Sequence, residues 1–254
     1  MPFDLRGKNV LITAGSRGLG AAIAKKFAIQ GSNVAINYYS RVSEAEELSK
    51  FLEREYGVKT VLIQGDAGVT ADIKRMVQET IKTLGGLDVI IGNAGWTKFT
   101  TFGDLDALSE EDWDKCYAVN VKGQMALFRE ALPTFNANPE GGAFIITSSI
   151  AGWSVSGSSM AYSVTKAAQL HLMKCLAKTQ GKKCRINAVL PGLLLTEWGQ
   201  RFPTEAVEAS KAKAVLNDVT DIDECADIYV AIAKNTSMTG QKIAVDAGLN
   251  VESM

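Results

Sequence analysis

Histidine is almost absent from this chain: His171 is the only one in 254 residues. It falls in a predicted helix with no second histidine to cooperate with, so a metal-ligand or catalytic role is set aside in favour of packing or an interface. Cysteine is equally sparse, and Cys116, Cys175, Cys184 and Cys225 lie inside helical or strand patterns without paired short spacings. That excludes both a disulfide framework and a zinc motif, and no metal is expected. Excess charge is missing too, since the net value of −1 offers no footprint for nucleic acid or anionic lipid. No stretch reaches about 18 uninterrupted apolar residues, and "MPFDLRGKNVLI" at the start has no charged segment followed by a long apolar one. A soluble, cytoplasmic protein without nucleic-acid or membrane partners is the expectation. There is no Pro- or Ser-rich linker, no low-complexity tract and no repeat, so a single domain over 1–254 is expected.

What is present is a regular alternation. Short runs rich in Val and Ile recur at 9–13, 33–37, 60–64, 87–91, 143–147, 185–190 and 242–245. Continuous apolar runs of this length read as strands buried on both faces. Helical patterns separate them, among them "GAAIAKKFAIQG", "SEAEELSKFLEREYG", "ADIKRMVQETIKTLG" and one long stretch over 109–135; several close on glycine. Strand and helix in alternation predict an α/β protein with a doubly wound, parallel, seven-stranded sheet and helices on both faces. The irregular stretch near 192–205, rich in large apolar residues, is expected to begin a lid extending to about 215.

After the first strand comes "TAGSRGLG", with glycines at Gly15, Gly18 and Gly20. A glycine-rich turn between a first strand and a helix brings backbone amides to a pyrophosphate at the helix's positive end. Three further stretches begin on or just after predicted strands: "IIGNAGWT" (90–97), "SSIAGWSVSGSSMAYSVTK" (148–166) and "INAVLPGLLLT" (186–196). Tyr162 and Lys166 are four apart on one helix face, where a lysine charge favours the tyrosinate form and lowers the tyrosine pKa. Ser149 precedes Tyr162 by thirteen residues at a strand end; Ser148, one residue earlier, points to the other face of a continuing strand.

In order and spacing these motifs resemble the short-chain dehydrogenase/reductase family over essentially the whole chain. Two departures stand out: Ala14 occupies the first glycine of the family's TGxxxGxG loop, and Gly92 the first asparagine of its NNAG turn. The resemblance implies a single-domain Rossmann fold and a catalytic set of Asn120, Ser149, Tyr162 and Lys166. In it Tyr162 is the proton donor, Ser149 bonds the substrate oxygen, and Asn120 holds a water that links Lys166 to solvent. The implied cofactor site comprises Gly15, Ser16, Arg17, Gly18 and Leu19 of the loop, then Tyr39, Ser40 and Arg41 after the second strand. It continues through Asp66 and Ala67 on the adenine side, Asn93, Ala94 and Gly95, and again Tyr162 and Lys166. Pro191, Gly192, Leu194 and Thr196 complete its nicotinamide side. The second strand ends "VAINYYSR" with no acid before Glu44, while Arg17 and Arg41 suit a 2′-phosphate; NADP(H) is therefore expected over NAD(H).

Trp96, Trp153 and Trp198 follow the strands that end at the cofactor, and with Phe202, Leu193 and Leu195 they predict a pocket for a bulky, apolar or aromatic ketone. The expected activity is NADPH-dependent reduction of such a ketone to a secondary alcohol. Two alternatives stand beside it, a 3-oxoacyl thioester reductase and a non-catalytic NADP(H)-binding sensor or scaffold. The stretch "PTFNANPEGGAF" has no Lys or Arg to dock an acidic carrier, which weighs against the first. All four catalytic side chains are retained, which weighs against the second. A nucleotide-sugar epimerase is disfavoured because about 60 residues after "LPGLLLT" leave little room for a sugar domain. The resemblance also implies a homotetramer built on helices at 111–135 and 161–180.

Overall fold

The computed structural model describes residues 3–251; of the expected domain 1–254, residues 1–2 and 252–254 lie outside the described residues. Seven strands form one sheet: β1 (Asn9–Ile12), β2 (Asn33–Tyr38), β3 (Thr60–Gln64), β4 (Val89–Gly92), β5 (Gly142–Thr147), β6 (Cys184–Pro191) and β7 (Lys242–Val245). Every pairing is parallel and the order is β3-β2-β1-β4-β5-β6-β7. All seven apolar runs thus become strands. The reason is visible residue by residue, because alternate side chains feed opposite cores. Val10 and Ile12 of β1 enter one core, and Leu11 enters the other. β5 does the same with Ile145 on one face and Phe144 on the other.

Among the described residues there are eight α-helices: α1 (Gly18–Ile29), α2 (Val42–Tyr56), α3 (Thr70–Leu84), α4 (Glu110–Tyr117), α5 (Gly123–Ala137), α6 (Met160–Gln180), α7 (Thr204–Lys213) and α8 (Ile222–Lys234). Phe27 of α1 and Tyr229 of α8 are fully buried in the first core, Phe128 of α5 and Met173 of α6 in the second. Gly57 and Gly85 end α2 and α3 in left-handed conformations, where glycine carries no Cβ penalty. The stretch expected as one helix over 109–135 is interrupted. A π-helical turn at Ala118–Lys122 divides α4 from α5 and points Asn120 into the interior. At Gly123 a Cβ would run into the Ala67 carbonyl oxygen, so glycine lets α5 abut the turn after β3.

Between β1, whose next strand lies to one side, and β4, which pairs on the other, the winding reverses. Ligands of such sheets bind beyond the carboxyl ends of the strands at this switch point. Beyond β6 the chain runs irregularly through a short turn at Gly199–Arg201 into α7, none of whose residues is buried. Cys116, Cys184 and Cys225 are buried free thiols and Cys175 is exposed. His171 is exposed on α6 and takes no part in the chain's own core, correcting the packing half of its expected role. No helix among the described residues is long and apolar enough to cross a membrane.

Candidate active site

Thr13 ties the two sides of the switch point together. Its hydroxyl accepts the amides of Asn93 and Ala94, each at 2.9 Å, and Asn93 Nδ2 returns to the carbonyls of Thr13 and Ala14 at 3.1 and 3.3 Å. Asn37, buried near the end of β2, secures the other side. Its Oδ1 accepts the Ala14 amide at 3.0 Å, its carbonyl accepts that of Gly15 at 2.8 Å, and its Nδ2 donates to the Ile63 and Gly65 carbonyls. The residue at the family's first loop glycine, Ala14, is held by these bonds at φ 49°, a left-handed conformation. Gly18 also has a positive φ, 51°, and a Cβ there would stand 3.2 Å from Thr196 Cγ2. A Cβ on Gly20 would press on Asn93 Nδ2 at 2.8 Å and on the Ala14 carbonyl oxygen. No side chain caps α1, so its first amides are left for an anion.

The loop opens into a cleft of about 750 Å³. Its lining brings together Arg17, Gly18 and Leu19 of the loop, Ser149, Tyr162 and Lys166, and Pro191, Gly192, Leu194 and Thr196 from the end of β6 onward. Ser149 follows β5 as the cap of a short turn, its Oγ accepting the Ala151 amide at 3.1 Å. Ser148 is buried and its hydroxyl donates to the Lys166 carbonyl at 3.0 Å, although it too borders the cleft. Ser159 caps α6 by accepting the Tyr162 amide at 3.3 Å, which fixes the first turn that presents Tyr162.

Lys166 lies 5.3 Å from the centre of the Tyr162 ring and donates from Nζ to the Thr147 carbonyl at 2.8 Å. Burial dominates both groups. Desolvation lowers the Lys166 pKa to about 7. The same desolvation pushes the Tyr162 hydroxyl well above its ordinary value, the Ser149 hydroxyl pulling weakly the other way. The expected lowering of the tyrosine by its lysine is therefore not found: desolvation dominates. The ammonium is only partly charged near neutrality and is turned to a carbonyl.

Asn120 is fully buried and every polar atom of its side chain is engaged. Oδ1 accepts the Trp96 amide at 2.8 Å; Nδ2 donates to the Trp96 carbonyl at 3.0 Å, Thr165 Oγ1 at 2.9 Å and Cys116 Sγ at 3.2 Å. Its main-chain carbonyl accepts from Gln169. A Cβ on Gly95 would be 3.6 Å from Asn120 Oδ1 and 3.7 Å from Lys166 Nζ, so all three meet at one corner.

The expected adenine side is an open rim. Tyr39, Ser40 and Arg41 are exposed beyond β2 and lie outside the cleft lining. Asp66 accepts the Gly68 amide at 2.7 Å, and Ala67 packs with Ala94 and Val119. Gly15 donates its amide to the Asn37 carbonyl and Ser16 is buried; neither lines the cleft. Gly92 is explained by its neighbour: a Cβ there would collide with Gln124 Oε1, so the Gln124 side chain fills the missing side chain's space. Gln124 Nε2 donates to the Ala94 carbonyl at 3.4 Å, and Oε1 is buried without a partner.

Of the rings expected around the substrate, Trp198 and Phe202 line the cleft, with Leu193, and Trp198 lies 5.7 Å from Tyr162. Trp96 does not: Asn120 pins its main chain from both sides, and the ring packs against Ala67, Ala94 and Val119 with Lys115 5.3 Å above it. Trp153 does not either, because the turn at Ile150–Gly152 swings it back onto the second core, beneath Lys242 at 4.7 Å. Leu195 is exposed and lies outside the lining. Phe99 takes the vacant role of support, 5.0 Å from Phe202 and 6.4 Å from Trp198.

A family model described as enoyl-(acyl carrier protein) reductase matches residues 13–250. Versicolorin reductase 1 of Dothistroma septosporum is 32% identical, covering 97% of both chains. The NADPH-dependent 3-quinuclidinone reductase of Rhodotorula rubra superposes with a TM-score of 0.91 at 30% identity, over 98% of this chain and 93% of that one. A short chain dehydrogenase of Burkholderia cenocepacia, solved in complex with NADP, gives 0.89 at 29% identity over 98% and 100%. Sheet, cleft and matches together define an oxidoreductase of carbonyl and alcohol groups. The chain belongs to the short-chain dehydrogenase/reductase family.

Proposed function

We propose that this protein is an NADPH-dependent reductase that converts a bulky, apolar ketone into a secondary alcohol, with Tyr162 as proton donor. The observation that carries the reading is the sharing of one cleft by Ser149, Tyr162 and Lys166 with the aromatic wall of Trp198 and Phe202. The loop glycines, whose added Cβ atoms would crowd the turn, and the uncapped start of α1 suit a pyrophosphate. Arg17 and Arg41 suit a 2′-phosphate, and Asn37, spent on the framework, offers no carboxylate to a ribose. Relatives carrying NADP or NADPH in their descriptions support the same choice.

When bound, the nicotinamide supplies the hydride that reaches the carbonyl carbon. Tyr162 delivers its phenolic proton to the carbonyl oxygen. Ser149 donates to the same oxygen as negative charge develops there. Lys166 would hold the cofactor's ribose and return a proton to the tyrosinate, and Asn120 keeps that corner in register through Trp96 and Thr165. Trp198 and Phe202, braced by Phe99, exclude water and take the apolar body of the ketone.

Tyr162→Phe is expected to lower turnover by about 10²- to 10⁴-fold while leaving NADPH binding intact; wild-type turnover in that variant defeats the mechanism. A panel of bicyclic and aromatic ketones against 3-oxoacyl thioesters separates the substrate readings. Higher kcat/KM on the thioesters favours the acyl reductase, and NADPH binding without turnover of any carbonyl favours the sensor. The same reading places the enzyme in the cytoplasm as a homotetramer across α4, α5 and α6. There Met125 and Val164 are exposed, and light scattering gives the mass.

A further inference from the structure

The segment after β6 carries a carboxylate that the chemistry above does not use. Glu197, between Thr196 and Trp198, reaches back to the glycine loop and forms an ion pair with Arg17. The same oxygen, Oε2, lies 3.5 Å from Arg41 Nη2. Arg41 is also paired through Nη1 with Glu44 at 2.9 Å. Three stretches far apart in sequence therefore meet with two guanidinium groups on one anionic oxygen.

Two convergent guanidinium forks are suited to a phosphate dianion, and a carboxylate oxygen between them stands where a phosphate oxygen would. Carboxylate and dianion cannot share that fork, because like charges at such a distance repel. We propose that Glu197 is a specificity-determining residue of the cofactor site, an internal competitor for the 2′-phosphate at Arg17 and Arg41. The inference rests on the reading that these arginines take that phosphate. Its consequence is directional: a ligand bearing the phosphate must displace Glu197, whereas one without it leaves the pairs in place. Glu197 thus restrains affinity for the phosphorylated cofactor alone, and it holds the start of the lid segment against the glycine loop until that cofactor arrives.

The test uses the cofactor's phosphate end without its nicotinamide. Wild type, Glu197→Gln, Arg17→Ala and Arg41→Ala are titrated calorimetrically with 2′,5′-ADP and with 5′-AMP. Glu197 is exposed, and the glutamine variant keeps its shape. Half-exposed ion pairs are individually weak, so Glu197→Gln is expected to tighten 2′,5′-ADP by about three- to tenfold and to leave 5′-AMP unchanged. Equal tightening of both ligands, or of neither, overturns the proposal. The arginine variants keep the two levels apart. If they weaken 2′,5′-ADP while Glu197→Gln does nothing, the competition fails and the phosphate site stands. If they leave 2′,5′-ADP unaffected, the phosphate site fails and the competition fails with it.

Discussion

Ala14 holds a backbone conformation that costs an L-residue about 1–2 kcal/mol, and two hydrogen-bonded neighbours, Asn37 and Asn93, keep it there. The family's glycine at this place is therefore a conformational requirement that this chain meets under strain. Ala14→Gly is expected to raise the thermal midpoint by about 1–4 °C, read by calorimetry; a fall would mean that the Ala14 methyl contributes packing worth more than the strain. Lys166 makes a second residue-level prediction. In the free chain it titrates at about 7 because burial opposes its charge. A bound anionic dinucleotide favours the charged form and raises that value. Binding at pH 8 should then take up protons, and binding at pH 6, where the ammonium is already formed, should not. Calorimetry in buffers of different ionisation enthalpy measures the uptake, and Lys166→Met should abolish it. Tyr162, pushed upward, stays neutral throughout and does not contribute.

At the scale of elements, β4 and α5 show how a departure from the family pattern is absorbed. Gly92 and Gln124 share one space, so Gly92→Asn alone should overpack the strand and cost about 1–3 kcal/mol. Gly92→Asn with Gln124→Ala should recover most of it, and a double-mutant cycle from urea unfolding gives the coupling. All seven strands could be read from sequence because each is a short apolar run bounded by helical patterns; five are largely buried on both faces, while β3 and β7 at the sheet edges are only partly covered. The π-turn at Ala118–Lys122 could not, since apolar spacing reports a helix's buried face and not its hydrogen-bond register. The meeting of Ser149, Tyr162 and Lys166 in one cleft was legible through order and spacing. Trp96 and Trp153 were misread because a position after a strand does not fix which way the next turn sends the ring. Asn37 did leave a signal, a polar residue inside a buried strand, whereas Phe99, Gln124 and Glu197 act through contacts distant in sequence.

Over the whole molecule, rigidity and cover are separated. Ser149, Tyr162, Lys166 and Asn120 are set on elements anchored in the second core, while α7 covers the cleft with Ala206, Ala209, Ser210 and Lys213 and buries none of its residues. Replacing residues 204–213 by a Gly/Ser segment of equal length should change the unfolding free energy by less than about 1 kcal/mol. The same change should sharply lower kcat/KM for apolar ketones. A loss of several kcal/mol would show that α7 belongs to the folding unit. A cover that contributes so little to folding can accumulate substitutions that no core helix would survive. Chains descended from this one should therefore diverge first in which substrate they accept, and last in the chemistry they perform on it.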